Sequence, residues 1–181
     1  MSKLTSRRFL ILGILFVIAI LSYKYSLSNE KIDIIESESK NESIEVTIKI
    51  PKLKNIGNKD FVDKFNLLVE EKVRAFVEEV RKIAKTDKEA GVQRIPYVAH
   101  VSTDVRYQDK NFLSMIIYYY QFTGGAHGST TFDTYNVNLK EGKLINLPDI
   151  LSQKAADVIK KEILNQINTN KLDFFPESFD Y

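Results

Sequence analysis

The residues of this chain with the clearest chemical potential lie in one glycine-rich segment, Thr123-Gly-Gly-Ala-His127-Gly. His127 is its only side chain that changes charge near neutral pH or ligates metals. Gly124, Gly125 and Gly128 are expected to shape this loop through backbone conformations closed to other residues, and Gly125 and Gly128 allow the backbone to approach closely at His127. Three interpretations stay open: the imidazole ties the loop by hydrogen bonds, recognises a ligand, or takes part in catalysis or metal binding.

A catalytic or metal site would need partners for His127. Catalytic zinc takes three protein ligands, and His100 with Asp104 or Asp133 are the candidates that the chain offers. Neither His-x-x-x-His nor His-Glu-x-x-His spacing occurs. Ser129 is not set in a nucleophile elbow. We therefore expect no catalytic residue, no metal and no cofactor.

Three consecutive tyrosines, Tyr118 to Tyr120, precede the glycine segment. Side chains alternate along a strand, so at least one ring must point away from the others. Exposed tyrosines beside a glycine loop are typical of protein or glycan recognition, whereas buried ones would be sheet packing. The candidate ligand-binding residues are Tyr118, Tyr120, Thr123 and His127.

The surrounding segments predict a series of strands. Residues 112–122 are apolar at almost every position, as in a strand covered on both faces. From Thr130 onward the pattern alternates, with one apolar face formed by Tyr135, Val137 and Leu139. Alternation also predicts strands at residues 44–50 and 97–107. Pro148-Asp149 suits the start of a helix.

A long amphipathic helix is predicted from about Asp60 to Lys85, with Asn58 as its cap. Its apolar stripe should be core and contains Phe61, Phe65, Leu68, Val69, Val73, Phe76, Val77, Val80 and Ile83. A second helix follows from Ser152. The order β-α-β-β-β-α predicts an α+β domain with an antiparallel sheet packed by one long helix.

These motifs resemble a known family. The matching residues are Tyr120-Gln-Phe-Thr-Gly-Gly-Ala-His127-Gly, the Asn-x-x-Leu-x-x-Gly-Lys pattern of residues 136–143, Leu147-Pro-Asp-Ile-Leu151, and Ile48-Lys-Ile-Pro-Lys-Leu53 before the helix. They are similar to the extracytoplasmic module shared by the anti-sigma factor RsiV and the N-terminal region of the peptidoglycan deacetylase PdaC. The likeness covers the chain from about Ser43 onward.

The resemblance implies a non-catalytic binding or sensing module. The RsiV module binds lysozyme, which implies a cell-wall-associated ligand such as lysozyme or a peptidoglycan-related glycan. PdaC carries its deacetylase activity in a separate domain. Only about eight residues precede the apolar N-terminal run, which argues against sigma-factor inhibition. An enzyme acting on cell-wall glycan through His127 is the alternative.

In the relatives, a second conserved segment begins near Ser152 and continues into further strands. Here residues 152–181 resemble an interrupted start of that segment, ending in an apolar stretch at Phe174, Phe175 and Phe179. An inactive truncated remnant is therefore another alternative. The predicted organisation places the α+β domain at residues 43–151.

Composition supports one globular domain of ordinary type. The 181 residues are 44% hydrophobic and contain no cysteine, which excludes disulfides and cysteine-ligated metals. Basic and acidic residues number 26 and 24. This balance predicts no nucleic-acid partner.

The N-terminus predicts export or anchoring. An apolar run from Phe9 to Leu21 follows Lys3, Arg7 and Arg8, so residues after it should lie outside the cytoplasm. Residues 1–28 are expected to form a signal anchor, with residues 9–27 in the cell membrane as a single pass. A cleaved signal peptide and a secreted product are the alternative. Residues 29–42 are acidic and should form a tether, in which Ile32, Ile34 and Ile35 could start a strand.

Overall fold

The computed structural model describes residues 31–169 and divides the chain into two units between Lys143 and Leu144. The predicted anchor or signal peptide and the apolar segment at residues 170–181 lie outside the described residues. Within residues 31–169, no helix has both the length and the apolar character to cross a membrane.

The first unit is a sheet with one long helix. Its strands follow the order β1-β2-β3-β4-β5-β6 across the sheet, and the last of them, β6, spans the division between the units. The elements are β1 (Ile32–Lys40), β2 (Ile44–Leu53), α1 (Lys59–Glu89), β3 (Tyr97–Gln108), β4 (Phe112–Phe122), β5 (Ser129–Asn138) and β6 (Lys143–Leu144).

The α+β class with a long helix on a sheet is confirmed, but the sheet is mixed rather than antiparallel. Strand β2 pairs in parallel with β3, with Ile44 opposite Tyr97 and Ile48 opposite Val101. Pairs β1–β2, β3–β4 and β4–β5 are antiparallel. The exception arises because the 31-residue helix α1 lies between β2 and β3 and returns the chain to the end of the sheet where β2 began.

The segment predicted as a tether, residues 29–42, is largely strand β1. This strand pairs with β2 from Ile32 opposite Leu53 to Lys40 opposite Glu45. None of its residues is buried, and Ile34 and Ile35 are 41% and 45% exposed. An edge strand with little burial needs no strong apolar alternation, which is why the sequence pattern missed all but its first residues.

Helix α1 begins and packs largely as predicted. The side chain of Asn58 accepts a hydrogen bond from the backbone N–H of Phe61 at 3.1 Å. The buried stripe is narrower than expected, since Leu68 is exposed and Phe76 only half-buried, and it includes Ala84. A helix on a sheet buries only the positions that point directly at it. Its buried residues are Phe65, Val69, Val73, Val77, Val80 and Ala84.

The core lies on one face of the sheet, called here the inner face because helix α1 packs on it. Two aromatic contacts between the helix and the sheet show this packing. Phe65 packs edge to face on Tyr135, and Phe76 packs on Tyr119. Strand β4 buries Leu113, Met115, Ile117 and Tyr119 there. The expectation that β4 is covered on both faces is wrong, because its opposite face is only half-buried or exposed.

The second unit contains the helices α2 (Leu147–Ile150) and α3 (Gln153–Thr169). The backbone N–H of Asn146 donates to Oδ2 of Asp149 at 2.7 Å, which fixes the predicted helix start at Pro148-Asp149. Oγ of Ser152 accepts from the N–H of Ala155 at 3.3 Å, so the second predicted helix also begins where expected. The division at residues 143/144 precedes the boundary expected after Leu151.

Candidate recognition surface

The face of the sheet opposite α1, the outer face, brings aromatic side chains together across β3, β4 and β5. The strand register places His100 opposite Tyr120 and Ser102 opposite Tyr118. On β5, the other neighbour of β4, Phe132 lies opposite Tyr118. We define the outer aromatic surface as His100, Arg106, Tyr118, Tyr120 and Phe132.

Tyr118 is the centre of this surface. Its ring centroid lies 6.2 Å from that of Phe132, which is 63% exposed. Its hydroxyl accepts a hydrogen bond from Nη2 of Arg106 at 3.1 Å, and the same nitrogen lies 3.0 Å from Oδ2 of Asp104. The surface therefore offers two neighbouring rings beside a cation, a combination suited to stacking and hydrogen bonding.

Tyr120 depends on the glycine segment for its position. A Cβ atom at Gly128 would lie 2.3 Å from Cε2 of Tyr120 and 2.4 Å from its hydroxyl oxygen. The ring therefore lies directly over the backbone of the glycine, where no side chain fits. Gly128 permits a close approach, and the group that approaches is a tyrosine of the same hairpin.

Gly124 and Gly125 differ from each other. Gly124 has φ +86°, and a Cβ atom there would lie 3.2 Å from Cε1 of Tyr97. Gly125 lies outside the left-handed region and has no crowded neighbour. Of the three glycines expected to supply backbone conformations closed to other residues, Gly124 alone has positive φ, and Gly125 and Gly128 do not.

His127 lies exposed in the loop between β4 and β5. Its Nδ1 is 3.1 Å from the carbonyl oxygen of the adjacent Gly128. Thr123 is half-buried at the start of the same loop. The four predicted ligand-binding residues thus belong to one hairpin, although among the described residues no hydrogen bond or ring contact joins His127 to Tyr118 or Tyr120.

The residues considered as zinc ligands are not gathered into a site. Asp104 pairs with Arg106 on the outer face, whereas Asp133 binds Lys72 of helix α1 on the inner face. Over residues 31–169, no group of three or more histidine, cysteine, aspartate or glutamate side chains is arranged to hold a metal ion. His127 remains, on this geometry, a single exposed imidazole.

Sequence reasoning missed a polar cluster on the inner face. Oδ2 of Asp133 accepts hydrogen bonds from Nζ of Lys72 at 2.9 Å, the hydroxyl of Tyr119 at 3.1 Å and the hydroxyl of Tyr135 at 3.3 Å. Asp133 has the same strand parity as Tyr135 and Val137, so alternation alone already placed a carboxylate on the apolar face. Such a carboxylate needs donors nearby.

The cluster raises the pKa of each of its three hydrogen-bond donors. Burial, reinforced by the charge of Asp133, raises the pKa of Tyr119 and of Tyr135 above the ordinary tyrosine value. The hydrogen bond to Asp133 raises the pKa of Lys72. All three donors therefore keep their protons at neutral pH, and the cluster stays assembled.

The comparisons with known proteins define the class of this molecule. The family model described as deacetylase PdaC matches residues 37–130, which is more than half of the chain. The chain therefore belongs to the PdaC family, as the resemblance of its motifs predicted. No curated protein matches it.

Two solved structures are similar to this chain. A member of the DUF3298 family from Bacteroides fragilis has TM-score 0.53 and 18% identity, covering 81% of this chain and 71% of that one. A DUF3298 protein from Pseudomonas aeruginosa has TM-score 0.49 and 22% identity, covering 78% and 68%. At such identities the first of these similarities supports the fold alone.

Proposed function

We propose that this chain is a non-catalytic, membrane-tethered extracytoplasmic module that binds or senses a cell-wall-associated ligand, a peptidoglycan-related glycan or lysozyme, through its outer aromatic surface. The observation that carries this proposal is the exposed ring of Phe132 beside Tyr118 and Arg106 on the outer face of the sheet. Aromatic rings and arginine are the side chains that most often anchor binding interfaces.

The glycine segment supports the same proposal. It carries exposed His127 at the end of the β4–β5 hairpin, and its Gly128 leaves room for the ring of Tyr120. A ligand lying along the outer face would meet the tyrosines on β4 and could reach the imidazole at the hairpin end. His127 then serves recognition and donates or accepts a hydrogen bond.

The membrane tether is inferred from the N-terminal sequence. Positive charges precede the apolar run of residues 9–21, which favours a cytoplasmic N-terminus and an external domain. Protease added to intact cells should therefore digest the domain. Protection until lysis would contradict this orientation.

The binding test uses the full chain, purified in detergent. Peptidoglycan fragments and lysozyme are the two ligands, measured by cosedimentation and calorimetry respectively. Tyr118→Ala and Phe132→Ala should weaken binding to the true ligand about tenfold or more, as the loss of an interface anchor does. The ligand that responds identifies the chemistry.

Val92→Ala is the matched control, because Val92 is an apolar residue that is 57% exposed outside the outer aromatic surface. It should leave binding unchanged. All three variants should melt near the wild-type temperature, since none of the three side chains is buried. If neither ligand binds the wild type, or if the variants bind as well as it does, the proposed function is wrong.

A further inference from the structure

A cleft of about 330 Å³ opens in the first unit between helix α1 and strand β5, on the inner side of the sheet. Tyr118 and Tyr120 of the outer aromatic surface do not line it, whereas Phe132, at the edge of that surface, does. Its lining contains apolar, polar and charged residues: Lys72, Ala75, Phe76, Glu79, Tyr119, Thr131, Phe132 and Asp133.

Asp133 lies in this cleft, where its two carboxylate oxygens differ in their hydrogen bonds. Lys72, Tyr119 and Tyr135 all donate to Oδ2. Oδ1 accepts no hydrogen bond from any residue in the described part of the chain. The three donors fix the orientation of the carboxylate, and Oδ1 is left able to accept from a ligand.

Glu79 brings a second carboxylate to the same cleft. Lys72, Phe76 and Glu79 follow one another at helical spacings of four and three residues, so they line one face of α1. Glu79 is exposed and, among residues 31–169, forms no ion pair. Since Lys72 and Asp133 neutralise each other, Glu79 leaves the lining with one net negative charge.

We propose that this cleft binds a guanidinium group, as carried by an arginine side chain of a protein partner. A guanidinium only donates hydrogen bonds, which suits Oδ1 of Asp133 and the carboxylate of Glu79. Its plane and aliphatic stem can pack against the ring of Phe76 and against Ala75. The charge is complementary to the net negative lining.

A neutral sugar fits the same cleft less well. Sugar hydroxyls act as donors and acceptors together, and therefore use donors from the protein as well. Tyr119 donates its only hydroxyl proton to Asp133, and Lys72 donates one of its three N–H groups there. The preference for a cation over a sugar therefore rests on the net negative charge of the lining and on the acceptor oxygens of Asp133 and Glu79.

The test compares two short peptides that differ in one group. The probes are acetyl-Gly-Arg-Gly-amide and its citrulline counterpart, in which a neutral urea replaces the guanidinium. Full-length protein in detergent micelles is titrated with each probe, and amide chemical shifts of residues around the cleft report binding. We expect saturable shifts with the arginine peptide and affinity at least about tenfold weaker with citrulline.

Variants locate the site. Glu79→Gln should weaken arginine binding about tenfold, whereas Glu71→Gln should not, because Glu71 is an exposed glutamate of the same helix outside the cleft. Tyr118→Ala should also leave arginine binding unchanged, because Tyr118 does not line the cleft. Both glutamate positions are exposed, so the fold should persist.

Three results would overturn the proposal. Equal affinity for the arginine and citrulline peptides would show that the positive charge of the guanidinium does not contribute to binding. Unchanged arginine binding in Glu79→Gln would place the site elsewhere. Shifts around the cleft with N-acetylglucosamine and none with the arginine peptide would assign the cleft to a sugar instead.

Discussion

Tyr118 and Tyr119 are neighbours in the chain, yet they belong to different chemical environments. Tyr118 lies on the outer face, where its hydroxyl meets the exposed guanidinium of Arg106. Tyr119 is 7% exposed on the inner face, packs against Phe76 and donates to Asp133. The pleat alone separates them, since successive side chains of a strand point to opposite faces.

This difference determines what each polar contact contributes. Exposed pairs such as Arg106 with Asp104 are screened by water and contribute little to stability. A hydroxyl that is desolvated on the inner face must keep its acceptor, because leaving it unpaired costs more than the bond contributes. We therefore expect the inner face to control stability and the outer face to control binding.

The largest difference in stability should appear between two variants, each of which removes one phenylalanine ring, one from the inner face and one from the outer face. Phe65 is 2% exposed and packs edge to face on Tyr135, so Phe65→Ala should lower the free energy of unfolding by about 3 to 5 kcal/mol. Phe132→Ala removes the same atoms, but the Phe132 ring is 63% exposed, so the free energy of unfolding should change by less than about 0.5 kcal/mol. Urea denaturation of both variants measures the contrast, and similar losses would contradict the assignment of the two faces.

A smaller effect separates the two glycines of the hairpin loop. Gly124→Ala should cost about 1 to 2 kcal/mol, because φ +86° is unfavourable for alanine and its Cβ would press on Tyr97. Gly125→Ala should be close to neutral, since that position has neither problem. Thermal melts of the pair compare them directly. A greater loss at Gly125 would contradict the assignment of the glycine-specific backbone conformation to Gly124.

Most of the fold followed from periodicity, and its failures have physical causes. Helix α1, with its Asn58 cap, and strands β2 to β5 carry regular apolar patterns because each of them buries residues of the core. Strand β1 has no buried residue and was largely missed. The parallel pairing of β2 with β3 depends on where the chain returns after α1, which no residue of either strand specifies.

The candidate site was harder to predict, because its contacts join residues that are far apart in sequence. The hairpin residues Tyr118, Tyr120 and His127 are local and could be grouped from the motif. Asp133 and Lys72 are 61 positions apart, and only the packing of α1 against β5 brings them together. Strand parity nevertheless indicated a carboxylate on the apolar face, and this signal was available.

Removing single hydroxyls gives a finer comparison of the two faces. Tyr119→Phe deletes a donor to Asp133 and should cost about 0.5 to 1.5 kcal/mol. Tyr118→Phe deletes only the exposed contact with Arg106 and should cost almost nothing. Denaturant midpoints of the two variants, measured at pH 7, compare their losses of stability. Equal values would show that the Asp133 cluster adds no stability through Tyr119.

The smallest expected effect is a difference in alkaline stability near pH 10. Burial and the charge of Asp133 raise the pKa of Tyr119 in the folded state, so an unfolded chain loses this proton first, at about pH 10. The folded state then binds more protons than the unfolded state, and stability must fall as pH rises past that value. Tyr119→Phe should make this decline shallower than in Tyr118→Phe when melting temperature is followed from pH 8 to pH 10.5. The decline should persist in part, because burial also raises the pKa of Tyr135. If both variants decline in parallel, the Tyr119 hydroxyl is not desolvated beside Asp133 in solution, and the contrast between the two faces is weaker than its geometry indicates.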